Sequence, residues 1–221
     1  MKTALIVLGV LLLLGVVAMA VFVFVVQNVE QPAYQSVKQD GDFEIRDYPA
    51  LVVAQVRRQG PRKEALSAGF GPLARYIFAK ERTGERISMT APVTQQRKNA
   101  IPLTRPETAP QDAEDWTVGF IMPAQYRLDQ LPAPANGEVY LSEIAPRRVA
   151  AVRFTGRADD ALMASKEIDL RAWMASHRLT PATTAVFAYY NDPLTPGPLR
   201  RNEVLIDVIG PAGNPLTGVR P

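Results

Sequence analysis

Two nine-residue segments, 49–57 (PALVVAQVR) and 146–154 (PRRVAAVRF), carry Pro, Val and Ala at matched offsets. Each follows a run that alternates apolar with polar side chains, 43–48 and 139–144, which is the period of a half-buried strand. Each precedes a segment of helical period. Each half then adds a short apolar stretch ending near a proline, 87–92 and 185–193, and a strongly apolar closing stretch, 116–122 and 203–209. An order of elements written twice restricts the fold more than any single motif does. It predicts an α+β domain of two pseudo-symmetric strand–strand–helix–strand–strand halves, with about eight strands and two helices. The halves are expected to join into one curved sheet or distorted eight-stranded β-barrel, with the helices outside.

The first helix is expected over residues 69–80. Leu66, Phe70, Leu73 and Ile77 fall at i, i+4, i+7 and i+11, one apolar stripe on one face. Lys80, Arg82 and Gly84 form its exit: cations near the negative end, then a residue free to adopt positive φ. Residues 86–93 then alternate Ile87 and Met89 against Ser88 and Thr90, a strand closed by Pro92. Arginines rim this unit, so its apolar surface suits a flat hydrophobic ligand carrying carboxylates. Helix-on-sheet packing with a solvated basic turn explains the same residues. The second helix is expected over 159–178, capped by Asp159, with Met163, Leu170, Met174 and His177 on one face.

Residues 4–26 contain no charge and are almost all Leu, Val, Ile, Ala and Phe. At 1.5 Å per residue they reach roughly 34 Å, enough to cross a bilayer core as a transmembrane helix. Lys2 precedes the run and Glu30 follows it, so the remainder is expected on the periplasmic side of the inner membrane. A cleaved signal segment with Ala18-Met19-Ala20 as its site is the competing expectation. The chain is thus divided into an anchor over 1–27, a polar tether over 28–33, one domain over 34–209, and a Gly/Pro-rich tail over 210–221. Beyond the anchor lie all 22 acidic residues and all basic ones except Lys2, a net +2. That gives no basis for nucleic-acid binding. There is no Cys and a single His, so thiolate chemistry is absent and His177 is the only imidazole base. A position in the last helical turn explains His177 without a metal. No nucleophile–base pair emerges, and the chain is not expected to be an enzyme.

Several motifs carry a family resemblance: EIRDYP at 44–49, GF at 69–70, ISMTAPV at 87–93, VGFIMP at 118–123, YNDP at 190–193 and RRNEV at 200–204. In this order they resemble the SOUL heme-binding protein family from about residue 34 to 209. The resemblance implies a distorted eight-stranded barrel with two helices. It also implies binding of heme or another porphyrin beside the first helix, a ligand the fold does not require. Some members are thought to ligate iron through a His in the Glu-Ile-Arg-x-Tyr motif; here that position is Asp47. The chain therefore resembles members that hold the macrocycle by apolar contact. On that basis Leu73, Ile77 and Met89 are the expected floor, and Arg75, Lys80 and Arg86 the expected propionate partners. Two other functions stay open: an envelope interaction module that keeps the fold without the ligand, and a weak hydrolase of small hydrophobic molecules.

Overall fold

The computed structural model describes residues 7, 9–15, 17, 29–98 and 115–209. The expected tail over 210–221 and most of the run at 4–26 lie outside these residues. Residues 9–15 are helical. Among the described residues no helix is long and apolar enough to cross a membrane.

The strands are β1 (Gln35–Asp40), β2 (Phe43–Tyr48), β3 (Leu51–Gln59), β4 (Val93–Arg97), β5 (Asp115–Ile121), β6 (Tyr140–Ile144), β7 (Arg147–Thr155), β8 (Val186–Tyr189) and β9 (Arg201–Asp207). Two helices join them: α1 (Arg62–Ile77) between β3 and β4, and α2 (Asp160–Ser176) between β7 and β8. All nine strands form one antiparallel sheet in the order β1-β2-β7-β9-β8-β4-β5-β3-β6. The expected barrel is thus an open sheet with β1 and β6 as its edges, and among the described residues it has nine strands instead of eight. The added strand is β1, exposed along its whole length.

The repeat holds. Exchanging β2 with β6, β3 with β7, β4 with β8 and β5 with β9 reverses the strand order and restores the same sheet. The two-fold relation runs through the β4–β8 pair, at Gln95↔Phe187. The expected alignment of the halves was out of phase in one place. Ala54 lies in the core under the first helix and Ala150 in the core under the second, so Ala54 corresponds to Ala150, not Ala151. A one-residue slip in a strand moves a side chain to the other face; Ala151 lies among the residues of that other face.

α1 begins at Arg62 and ends at Ile77, earlier than expected at both ends. Ala79 takes the left-handed conformation (φ 52°) and stops it. Arg82 donates from Nε to Tyr76 O (2.8 Å) and from its other nitrogens to Thr83 O and Glu85 O. The helix exit is thus held by Arg82 and does not wait for Gly84. Pro72 lies inside α1 and cannot donate to Ala68 O; Arg58 Nε takes that acceptor instead (3.2 Å). The buried stripe also differs from the expected one. Ala65, Gly69, Pro72, Leu73, Tyr76 and Ile77 face the sheet, whereas Phe70 is 39% exposed. Gly69 turns the helix this way: a Cβ there would lie 2.7 Å from Val118 Cβ.

Residues 87–92 form no strand; pairing starts at Val93. Their backbone groups go elsewhere. Ile87 N donates to Ile77 O, and Ala91 N to Glu30 O. The Thr90 hydroxyl donates to Ile121 O. Ile87, Thr90, Ala91 and Pro92 are nonetheless buried, so the apolar residues of this stretch turn inward without a ladder.

α2 has the expected cap, Leu162 N donating to Asp159 Oδ1 at 2.8 Å, and it buries Met163, Leu170, Trp173 and Met174. α1 packs on β3 and β5, α2 on β7 and β9. A core cluster lies under each helix. A third, with Tyr48, Val149, Tyr190 and Leu205, covers the helix-free side of the sheet. Arg62 joins the halves, reaching Asp160 Oδ1 (2.6 Å), the Tyr189 hydroxyl (2.7 Å) and Ala158 O (2.6 Å).

Candidate functional site

The six residues expected to bind a ligand separate into three groups. Leu73 and Ile77 are 0% and 1% exposed. They belong to the core under α1 and cannot touch a ligand in this conformation. Met89 is half-buried against that same core. Of the cations, Arg75 pairs through Nε with Glu81 (2.6 Å) and through Nη2 with Glu138 (3.6 Å). Lys80 and Arg86 are exposed on the loop that follows α1.

The apolar surface at α1 comes from other residues. Phe70, outward on the helix, meets Phe120 edge-on with ring centres 5.2 Å apart. Leu66, Phe78, Met89 and Tyr126 pack half-exposed around the α1 core. Sequence periodicity placed Phe70 inward; the close approach at Gly69, a position without a side chain, turns it out. The cleft between α1 and residues 134–139 holds only about 10 Å³, and the Tyr76 hydroxyl closes one side by donating to Pro132 O. That is room for about one water molecule, so a macrocycle at α1 would lie on the surface. A larger hollow of about 440 Å³ is lined by Arg57, Arg58, Lys98, Asp115 and Trp116. Among the described residues its lining is mostly charged and lacks the apolar wall that a flat hydrophobic ligand needs.

The densest polar cluster lies on the helix-free side. Glu203, 0% exposed, accepts from Arg46 Nη1 (2.6 Å) and Nη2 (3.1 Å), from Arg201 Nη2 (2.7 Å) and Nε (3.1 Å), and from the Tyr190 hydroxyl (2.9 Å). Arg46 is 2% exposed and also pairs with Glu44 (2.6 Å). Burial would raise the Glu203 carboxyl, but the hydrogen bonds and charge of Arg46, then Arg201, outweigh it and hold the carboxyl below its ordinary value. Burial, followed by the Glu203 charge, pushes the Tyr190 phenol well up. Arg201 and Glu203 are thus the centre of a buried network and not a pair at a strand edge. The sequence signal lay in the EIRDYP and RRNEV motifs, which supply Arg46, Tyr48, Arg201 and Glu203 together.

Residues 29–33, within the expected tether over 28–33, form with Tyr34 a strap over this network. The Tyr34 ring lies 4.4 Å from the Arg46 guanidinium and 5.2 Å from the Tyr48 ring. Gln31 Oε1 accepts from Arg201 Nη1 (3.0 Å), and Glu30 Oε1 accepts from Ala124 N (2.7 Å).

No group of His, Cys, Asp and Glu among the described residues is arranged to hold a metal ion. Asp47 lies opposite Arg148 on β7 and accepts two hydrogen bonds of 2.8 Å from it. Arg148 holds the Asp47 carboxyl below its ordinary value, against a smaller opposing effect of burial. His177 Nδ1 lies 2.9 Å from Trp173 O and 3.1 Å from Ser176 Oγ, and Nε2 lies 3.8 Å from Asp40. Nδ1 therefore carries the proton it gives to Trp173 O, and it cannot take one from Ser176.

The profile of a family described as SOUL heme-binding protein matches residues 29–207, which spans both halves of the sheet. Heme-binding protein 2 of Homo sapiens is 29% identical over 135 residues, 59% of this chain and 62% of that protein. The Mus musculus protein of the same name is 27% identical over the same shares. The match thus spans about three-fifths of the length of these relatives. Among solved structures, the C-terminal domain of EcmrR is similar at a TM-score of 0.53 and 14% identity, over 80% of this chain and 98% of that one. An uncharacterized conserved protein from Listeria innocua reaches 0.54 at 13% identity, over 76% and 92%. A protein described as a hydrolase from Listeria innocua reaches 0.52 at 13% identity, over 78% and 94%. At these identities the likeness is one of fold alone.

Proposed function

Because the chain belongs to the SOUL heme-binding protein family, we propose that its folded domain binds heme or another tetrapyrrole on the apolar surface around α1. The observation that carries this is the family match itself, which runs through every strand of the sheet. The local chemistry is compatible with it. Phe70, Phe78 and Met89 offer partly exposed apolar area. Lys80 and Arg86 stand free on the adjoining loop to meet propionates, where a well-formed charge-assisted bond contributes roughly 1.5–3 kcal/mol. Asp47, at the position where some members carry the ligating His, is committed to Arg148 and offers no strong axial ligand. The residues fit a macrocycle held by its faces and edges, not by its metal. Binding, not catalysis, is the proposed role.

We also propose that residues 4–26 hold the domain at the inner membrane with its fold on the periplasmic side. The support is the uncharged run itself and its flanking Lys2 and Glu30. An alkaline phosphatase fused at Pro221 is expected to be active. An inactive fusion beside an active cytosolic reporter would overturn this orientation.

Hemin titrated into the purified protein and followed at the Soret band tests binding. Iron-free protoporphyrin, followed by fluorescence, is expected to bind about as well as hemin. A large preference for hemin would mean that iron is ligated and that the site is elsewhere. The tightness of the α1 cleft favours a second function, an envelope interaction module that keeps the fold without the ligand. Saturable binding of neither porphyrin would decide for it.

A further inference from the structure

The loop between β8 and β9, residues 190–200, carries the most exposed large apolar side chain among the described residues. Leu194 is 80% exposed and Leu199 55%. A single exposed Leu means little on its own. Here two project from a backbone that is held firmly. Asp192 accepts from Leu194 N (2.7 Å) and from the Thr195 hydroxyl (2.9 Å). Arg200 donates to Thr195 O (2.7 Å) and to Pro193 O. Leu199 N donates to Pro196 O (2.9 Å), and Gly156 N to Gly197 O (3.0 Å). The polar groups of the loop are thus turned inward, its one acid included. Leu194, Leu199 and the exposed prolines 193, 196 and 198 are left facing out.

The place of this loop says what covers it. Arg201, the next residue after it, holds Gln31 of the strap at 3.0 Å. Gln31 lies five positions beyond Val26, the end of the uncharged run. Fully extended, that stretch spans at most about 18 Å. The chain therefore leaves the run and reaches the sheet at the start of β9, beside the loop from which the two leucines project. We propose that the β8–β9 loop rests on the lipid bilayer through Leu194 and Leu199, beside the docked strap; this depends on residues 4–26 being a membrane segment. Apolar tips at the depth of the headgroups, with the exposed Arg157 packed against Gly197, fit an anionic lipid surface. The strap and the loop then hold the domain in one orientation, where a free tether would let it tumble.

The chain has no native Cys, which permits single-site labelling. Leu194→Cys, Leu199→Cys and Ile209→Cys are each made in the full chain and coupled to a polarity-sensitive fluorophore. Ile209 is 56% exposed and lies eight residues along from Arg201, roughly 26 Å in strand geometry, so it serves as the distant control. The proteins are reconstituted into phosphatidylcholine–phosphatidylglycerol vesicles containing nitroxide-labelled lipid. Positions 194 and 199 are expected to shift to the blue and lose most of their emission, with position 209 unchanged. If the protein floats with the vesicles but 194 and 199 are quenched no more than 209, this proposal fails and the anchor stands. Equal quenching at all three positions overturns it as well. If the protein does not float with the vesicles, the anchor fails and this proposal with it.

Discussion

Glu203→Ala tests the network on the helix-free side most directly. The carboxylate receives five hydrogen bonds from Arg46, Arg201 and Tyr190, and it is fully buried. Removing it leaves Arg46 at 2% exposure with the Glu44 carboxylate, the Tyr48 hydroxyl and the Tyr34 ring as compensation. Breaking a buried pair from one side costs about 3–5 kcal/mol, because a charge stays in place without its partner. One carboxylate here serves two guanidiniums, which argues for the upper half of that range. For a domain of this size the melting point should fall by roughly 6–20 °C, at 2–4 °C per kcal/mol. Urea unfolding followed by Trp fluorescence and far-UV circular dichroism gives the free energy directly. Pairing Arg46→Met with Glu203→Leu should recover part of the loss, since it removes the most deeply buried cation together with its carboxylate and leaves only Arg201 and Glu44, which are less buried, without that partner. The pH dependence follows from the depressed carboxyl. Its contribution is fully present above the ordinary value of 4.5 and is lost as pH falls through the lower folded value. The stability gap between wild type and Glu203→Gln should therefore narrow as pH drops below 4.5. A loss under about 1 kcal/mol for Glu203→Ala, within the range of an exposed pair, would refute the burial of this network.

Phe120→Ala, at 2% exposure beneath α1, should cost about 3–5 kcal/mol in urea unfolding; a cost under about 1 kcal/mol would place Phe120 on the surface. Gly69→Ala should destabilise by about 1–3 kcal/mol, because overpacking against Val118 exceeds the gain of roughly 1 kcal/mol from helix propensity; a stabilised variant would mean that the helix can lift off the sheet at no cost. Phe70→Asp should weaken hemin binding at least tenfold with the melting point nearly unchanged, as Phe70 is partly exposed; unaltered affinity would move the ligand away from α1.

The order of elements was legible in the sequence because each half repeats the same alternation of periods. The closing strands were found for the same reason: residues 116–122 and 203–209 are apolar runs bounded by breakers. The errors have identifiable causes. Residues 87–92 alternate like a strand and bury their apolar members, yet their backbone bonds go to Ile77 and Glu30 and the Thr90 hydroxyl to Ile121, partners that no local pattern reveals. Polar Gln95 and Gln96 form the real strand, because the two-fold relation places β4 between β5 and β8. Leu73 and Ile77 were correctly apolar and correctly on one face, but a buried face serves the core. Phe70 was misplaced since Gly69, with no side chain to register in a hydrophobic pattern, is where the helix meets the sheet. The network around Glu203 joins residues as many as 157 positions apart; two motifs hinted at it, and only the fold brings them together.

Each half also lends its first strand to the other: β2 pairs with β7, and β6 with β3. This exchange bears on how the chain folds. Asp47 must wait for Arg148, 101 positions later, before β2 has its long-range neighbour. A first half emerging alone from the ribosome or a translocation channel would hold only the exposed β1 beside β2, and would leave the far side of β3 open. Such non-local pairing puts folding in the slow, milliseconds-to-seconds regime of β-rich domains. An unpaired first strand is equally able to join the second half of another molecule, so swapped dimers are the misassembly this topology invites.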